Sequence, residues 1–387
     1  MRVLLVNSHG ADESVGGAER YVARLAEGLH RRDVETVLLA AFPGRNEGSF
    51  TAVSVLHRAD WRTSQARRIA NRLADFDARP LARLVAAVEE ARPDLVHTNN
   101  LPGITTGIWG ACAGAGVPVV HTLHDYSLLC ARATLVSRDG EPCRPRALGC
   151  GLRARRLRRW SPAVQSVIGV SQHVLSAHDG FFAGGAEQHV VLHPRPGAAA
   201  EGIREAPGER LRTLGYLGSL DVVKGVGALL EALPALAALG VRVRVAGAGR
   251  LRAAVEAAAR KGLLEYEGVV SGAAKVRFLE ACDAGVVPSV WDEPGAPPYT
   301  ALEWLGAGRP VLASPRGGLG EVAEELTGLL PVDPTALGIA AACRGLLDPA
   351  EWGAAVDAAS EPVARPGDDE RWLDDHLRIY KGIVGRR

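Results

Sequence analysis

Short apolar runs recur along this chain, most of them followed by a glycine turn and then by a stretch with a 3.6-residue apolar rhythm. The first run is Val3–Val6. Gly16-Gly17 follows, then a helix predicted over Ala18–His30 with Val22, Leu25 and Leu29 on its apolar face. Further strands are predicted at Glu35–Ala40, Leu95–His97, Pro118–His121, Ser166–Val170 and His189–Leu192. The segment His193–Glu209 is rich in Pro, Ala and Gly and reads as a linker. The pattern then restarts with Arg212–Leu217, Gly218 and a helix from about Val226 to Leu239. Val241–Ala246, the turn Gly247-Ala248-Gly249 and a helix over Leu251–Lys261 come next. Leu264–Glu267, Ala284–Val287 and Pro310–Ala313 complete the strands, and an amphipathic stretch, Asp369–Val384, ends the pattern.

Strands alternating with helices of ten to fifteen residues indicate parallel α/β units. At 387 residues the chain exceeds the size at which single cores stop growing, about 250–300 residues, so two domains are expected. The expected division is a first Rossmann-like domain over 1–195, a linker over 196–209 and a second such domain over 210–368. A C-terminal helix over 369–387 is expected to return to the first domain.

Composition changes this picture little. Hydrophobic residues make up 47% and charged residues 23%, ordinary for a soluble globular protein. No run of eighteen apolar residues exists, and Met1 leads straight into a strand-like run, so a cytoplasmic protein is expected. Net charge is +1, with a basic first half and an acidic second half, which suits two domains facing across a cleft. Nucleic-acid binding wants a concentrated basic face with groove-reading or aromatic elements and is not expected.

The basic residues are 41 Arg and only 4 Lys, as in the GC-rich coding of actinobacteria, which makes the position of each lysine informative. Seven arginines lie between Arg144 and Trp160: Arg144, Arg146, Arg153, Arg155, Arg156, Arg158 and Arg159. They suit an anionic acceptor or a phospholipid surface as well as a solvated helix face. Cys130, Cys143 and Cys150 lie close in sequence, with His121 or His124 as a further candidate ligand. Their spacing is not a recognised zinc pattern, so reduced thiols and no metal are expected.

Candidate chemistry gathers in a few turns. Pro288–Glu321 sets Glu293 and Glu303 on either side of a Pro/Gly-rich turn, Gly295-Ala296-Pro297-Pro298-Tyr299-Thr300, that opens a helix. Helix-start N–H groups suit a phosphate, and carboxylates suit sugar hydroxyls, so the stretch describes a nucleotide-sugar pocket. The alternative is a Pro-rich surface loop with two solvated glutamates. Gly218-Ser219-Leu220-Asp221-Val222-Val223-Lys224-Gly225 follows a strand and offers the compact ammonium of Lys224 to a diphosphate. Gly16 and Gly17 form a turn at a helix start that lets backbone approach a phosphate. His124 and Asp125 come just after a strand, in the position where α/β folds bind ligands. Asn99 and Asn100 end an earlier strand and are candidate hydrogen-bonding residues on the acceptor side.

These motifs, in this order, resemble glycosyltransferase family 4, the retaining enzymes of GT-B fold. Over roughly residues 1–340, and most strongly in the second half, the chain is similar to that family's pattern of Gly-Gly-Ala-Glu, His-Asp, Lys-Gly, paired glutamates and Gly-x-Pro-Val. The resemblance implies an α/β GT-B fold, two facing Rossmann-like domains with a cleft between them. It implies a metal-independent retaining hexosyltransferase, with no cofactor, that moves a sugar from a nucleoside-diphosphate sugar to a small-molecule or glycan acceptor.

Residue by residue, it implies that Lys224 clamps the diphosphate, Glu293 touches the sugar and His124 lies beside the transferred sugar. Glu303 would accept the ribose hydroxyls. Gly16, Gly17, Gly218, Ser219, Gly247, Gly249, Val270, Pro298, Tyr299 and Thr300 would line the donor. Asn99, Asn100 and Asp125 fall on the acceptor side. The chain departs from the pattern at two places. Ser219 stands where the family has an Arg, and nine residues rather than seven separate Glu293 from Glu303. A GT-B epimerase or phosphorylase and a nucleotide-sugar-binding protein without catalysis remain alternatives.

Overall fold

Seven strands of the first half form one parallel sheet and six of the second half form another. A computed structural model describes residues 1–10, 16–42, 51–54, 82–137, 140–143, 148–194, 206–363 and 367–386. The chain falls into two units, Met1–Leu135 with Cys143–His193 and Glu370–Arg387, and Val136–Pro142 with Pro194–Asp369.

In the first unit the strands are β1 (Arg2–His9), β2 (Glu35–Phe42), β3 (Thr51–Ser54), β4 (Leu95–Thr98), β5 (Val119–Leu123), β6 (Val164–Gly169) and β7 (Glu187–Val190). Their order across the sheet is β3-β2-β1-β4-β5-β6-β7, every pairing parallel. The strand order reverses at β1, so the gap beyond the carboxyl ends of β1 and β4 is a topological switch point. The helices are α1 (Gly17–Arg31), α2 (Ala82–Ala91), α3 (Gly107–Gly114), α4 (Leu148–Leu157) and α5 (Gln172–Ala177). On α1, Val22, Leu25 and Leu29 are fully buried, as their spacing requires.

The second unit has β8 (Thr213–Leu217), β9 (Arg242–Ala246), β10 (Glu265–Tyr266), β11 (Ala284–Val287), β12 (Val311–Ala313) and β13 (Leu329–Pro331), in the order β10-β9-β8-β11-β12-β13. A 3₁₀ turn covers Val222–Lys224. Helices α6 (Val226–Ala238), α7 (Arg252–Arg260), α8 (Gly272–Glu280), α9 (Tyr299–Gly306), α10 (Gly318–Val322), α11 (Ala336–Gly345) and α12 (Pro349–Ala359) follow. The switch point here lies between β8 and β11. Helix α9 packs on these two strands through Trp304, which is fully buried. A Cβ added at Gly215 or at Gly285 would stand 2.3 Å from the indole, so the paired glycines make the seat for this ring.

The last helix, α13 (Asp368–Val384), packs on the first unit. Tyr380 meets His97, His376 meets Tyr21, and Arg32 pairs with Glu370 and Asp374. The strand expected at His189–Leu192 runs instead from Glu187 to Val190. It is an edge strand, mostly exposed, so its polar start gave no apolar run to read.

In the Arg-rich segment, Arg155, Arg156, Arg158 and Arg159 are exposed, while Arg153 is buried and donates to the Ser127 carbonyl. Arg144 and Arg146 lie outside the described residues. No helix among the described residues is long and apolar enough to cross a membrane.

Candidate active site

In the second unit the turns singled out from sequence all leave the carboxyl ends of strands, so they gather along one edge of the sheet. The turn after β8 is fastened to its neighbours by backbone. Gly218 and Leu220 donate to Ala246 and Ala248 at 3.0 and 2.9 Å, and Val290 donates to Val223 at 3.0 Å. Two glycines permit this density. Gly225 has φ 72°, and a Cβ there would fall 1.7 Å from the Pro288 carbonyl oxygen. Gly247 has φ 141°, and its Cβ would fall 1.8 Å from the Gly218 carbonyl oxygen. Neither site admits another residue without moving a backbone.

This framework brings Lys224, from the turn after β8, onto Glu293, from the turn after β11, across the switch point. The ammonium meets both carboxylate oxygens, at 2.7 and 2.8 Å. The Ser289 hydroxyl donates to the same carboxylate at 2.5 Å, and the ammonium lies 4.9 Å from the centre of the Trp291 ring. Glu293 is only 3% exposed, so the pairing and hydrogen bonds offset the cost of burying its charge. The Glu293 backbone bridges to Gly317 and accepts the Gly318 N–H at the start of α10.

Glu303 lies on α9 and is 7% exposed; the Lys275 ammonium donates to it at 2.8 Å. The surface-loop alternative therefore fails: both glutamates are buried and paired, and Glu293 through Pro298 are buried throughout. Pro298 leads into α9 with no side-chain cap, and Tyr299 and Thr300 form its half-buried first turn.

Ser219 stands where a guanidinium is expected, and its hydroxyl lies 3.4 Å from Asp221. The turn after β9 supplies a guanidinium nearby. Arg250, next to Gly249, pairs with Asp221 at 2.5 Å. Gly247 also receives the Tyr266 hydroxyl on its carbonyl at 2.8 Å, and Val270 ends the turn that leads to α8. Tyr216 lies buried beneath, donating to the Ser219 carbonyl. Burial, with Glu293 and Asp221 adding to it, raises its phenol well above the ordinary value.

The first unit has its own cluster at the carboxyl ends of β1, β4 and β5. Asn7 accepts the Asn100 N–H at 3.1 Å and donates to buried Glu19 at 3.4 Å, next to Gly16 and Gly17. The Asn99 amide donates to the Val6 and His97 carbonyls, leaving its oxygen to face His124 Nε2 at 2.9 Å. That assigns the proton to Nε2 and the lone pair to Nδ1. Burial holds the imidazole well below its ordinary pKa, and His193, His121 and His376 add to the effect, so the ring is neutral. The Tyr21 ring packs edge-on to it at 4.6 Å. Asp125 accepts the Ser127 N–H at 2.7 Å; burial raises its carboxyl pKa against that bond and the Arg153 charge.

All six cysteines are free. Arg132 donates to the sulfurs of Cys130 and Cys143, at 3.4 Å each. Among the described residues no group of three or more His, Cys, Asp or Glu could hold a metal ion.

Sequence reasoning missed Lys275, Ser289, Trp291, Arg250, Asn7 and Tyr21. Lys275 carried a signal as one of four lysines in the chain, and Ser289 by its place at the start of the Pro288–Glu321 stretch.

The profile of Glycosyltransferase Family 4 matches residues 15–191, and that of Glycosyl transferases group 1 matches residues 211–348. An "Uncharacterized 42.6 kDa protein in cps region" of Klebsiella pneumoniae is 25% identical over 341 residues, covering 84% of this chain and 88% of that protein. Glycogen synthase of Mycobacterium tuberculosis is 34% identical over 157 residues, 39% of this chain and 36% of that enzyme. Among solved structures, sucrose-phosphate synthase from Thermosynechococcus elongatus superposes with a TM-score of 0.71 at 18% identity, over the whole of both chains. Anabaena Alr3699/HepE, in complex with UDP and glucose, gives 0.68 at 16% identity, over 99% of this chain and 100% of that one. With two parallel α/β units and both halves matched in order, the chain belongs to the family 4-type glycosyltransferases of GT-B fold.

Proposed function

We propose that this glycosyltransferase transfers a sugar, with retention and without a metal, from a nucleoside-diphosphate sugar to a hydroxyl of a small-molecule or glycan acceptor. The observation that carries the reading is the Lys224–Glu293 pair at the switch point, with Glu303 on the adjacent helix. A cation with a spare N–H serves the diphosphate, and carboxylates serve hydroxyls. Alr3699/HepE, of the same fold, has been solved with UDP-glucose, which supports a nucleotide-sugar donor here.

In this reading Lys224 and the start of α9 stabilise negative charge on the departing diphosphate. Glu293 orients the sugar and Glu303 the ribose. Gly218, Ser219, Gly247, Gly249, Val270, Pro298, Tyr299 and Thr300 line the donor. In the first unit Gly16 and Gly17 approach the phosphate, His124 serves the transferred sugar, and Asn100 and Asp125 the acceptor. Asn99 acts through His124. The bond from the anomeric carbon to the diphosphate oxygen breaks while the acceptor oxygen bonds to that carbon on the same face. The acceptor proton passes to the leaving phosphate, and no covalent nucleophile is needed.

The test is to incubate the chain with UDP- and GDP-sugars and an acceptor panel, and to read the anomeric configuration of the product by NMR. Retained configuration, with activity surviving a chelator, is expected; inverted product or loss on chelation contradicts the reading. The sequence does hold one Asp-x-Asp spacing, Asp75-Phe76-Asp77, outside the described residues; two carboxylates so spaced suit a divalent cation, so the chelation arm is needed. Ser219, in place of the family's Arg, favours a second reading, a nucleotide-sugar binder without turnover. Binding with no product across the panel would select it.

A further inference from the structure

The chain spends two of its four lysines on the two candidate donor-site glutamates. Lys275 lies in the first turn of α8, just beyond the turn that ends at Val270, and reaches Glu303 Oε1 on α9 at 2.8 Å. Its ammonium has no other hydrogen-bonded partner among the described residues.

The choice of lysine matters in a chain that otherwise uses arginine. A guanidinium would present a planar fork and engage both carboxylate oxygens side by side. The Lys275 ammonium, a point donor, meets Oε1 of Glu303. A buried carboxylate needs a cation nearby, yet one that must also accept two hydroxyl protons needs lone pairs left over. Lys275 supplies the cation through one oxygen of the carboxylate. Lys224 differs in holding both oxygens of its partner, so the two pairs are not equivalent.

We infer that Lys275 is a positioning residue for the donor's ribose: it fixes the Glu303 carboxylate where it accepts both ribose hydroxyls. The inference rests on the reading of the second unit as a nucleotide site and extends it to a residue outside the recognised motifs. Its consequence is that discrimination between ribose and deoxyribose depends on Lys275, whereas a merely stabilising ion pair would weaken both nucleotides alike.

The experiment is calorimetric titration of the full chain with UDP and 2′-deoxy-UDP, and with GDP and 2′-deoxy-GDP. It uses the wild type, Lys275→Met, Lys275→Gln, Lys275→Arg and Glu303→Gln. The wild type should prefer the ribonucleotide by about tenfold or more, the range of a hydrogen bond to a charged group. Glu303→Gln should remove most of that preference. Lys275→Met and Lys275→Gln should lower it at least about threefold, with Lys275→Arg restoring part of it. A folded Lys275→Met or Lys275→Gln chain that keeps the wild-type ratio overturns the inference while leaving Glu303 in place. An unchanged ratio in Glu303→Gln, or no nucleotide binding by the wild type, removes both the ribose reading and the inference built on it.

Discussion

Lys224 holds both carboxylate oxygens of Glu293, at 2.7 and 2.8 Å, across the point where the strand order of the second sheet reverses. The pair joins two turns that also share a backbone hydrogen bond, Val290 to Val223, so side chains and main chain fasten the same junction. Glu293 is nearly closed to solvent and Lys224 partly open to it, which leaves the cation able to meet a ligand without giving up its partner.

The first prediction follows from that burial. Removing Lys224 leaves a buried carboxylate without its cation, which should cost about 3 kcal/mol of stability. In the double variant Lys224→Ala with Glu293→Gln, no orphan charge remains, and the loss should be clearly smaller than the sum of the two single losses. Urea denaturation of the four chains measures this. Simple additivity would mean that the two groups are not coupled.

A second prediction concerns the seat of α9. Trp304 fills the space above Gly215 and Gly285, so Trp304→Ala should destabilise by about 3–5 kcal/mol. Gly285→Ala inserts a methyl where the indole already stands. It should lower the melting temperature and, by displacing α9 and Glu303, also weaken nucleotide binding. A variant that melts as the wild type and binds as the wild type would show that this packing does not position Glu303.

The histidines of the first unit set its acid response. Burial lowers the pKa of His97 and His124 well below 6.5, His121 to about 3 and His376 to about 4. In the unfolded chain these rings take protons near pH 6.5. Between that pH and the lower folded values the unfolded state binds more protons, so stability is full above about pH 6.5 and falls as the pH drops. Each neutral ring contributes up to about 1.4 kcal/mol per pH unit. Melting temperatures at pH 7.5 and 5.0 should differ by several degrees, and His97→Gln should reduce the difference. A flat profile would contradict the neutral assignment.

The two glutamates should separate in their effects. Glu303→Gln should weaken nucleoside diphosphate binding by about 1–3 kcal/mol. Glu293→Gln should reduce turnover while leaving binding of the free nucleotide nearly intact. Calorimetry with steady-state rates on the same preparations distinguishes them, and equal effects on binding would erase the assigned division of roles.

Much of this architecture was legible in the chain. The strands at Ala284–Val287 and at the start, and the helix after Gly16-Gly17, announce themselves because buried parallel strands read as apolar runs and α1 as an amphipathic stripe. β3 and β13 were hidden by being only four and three residues long, and β7 was expected two residues late because its exposed start is polar. At the site, Lys224, Glu293 and Glu303 stood out by motif order, but which cation met which carboxylate did not. Lys275 lies 28 residues from Glu303 and in no motif, and only the packing of α8 beside α9 brings them together. Arg250 is a similar case. It reaches Asp221 because β8 and β9 pair in parallel, a neighbour relation that no local spacing encodes.

The central claim is that Lys224 stabilises the leaving diphosphate, and the rate of nucleoside diphosphate release at saturating donor tests it most directly. Charge builds on the diphosphate as the bond to the sugar breaks, so the ammonium should support turnover more than binding. Lys224→Ala, assayed below its melting temperature, should lower kcat by about 10²–10³, comparable to losing one oxyanion donor, while affinity for the free nucleotide falls much less. Lys224→Arg should recover only part of the rate, because its planar fork places the charge elsewhere. A near-wild-type kcat in folded Lys224→Ala would contradict the account.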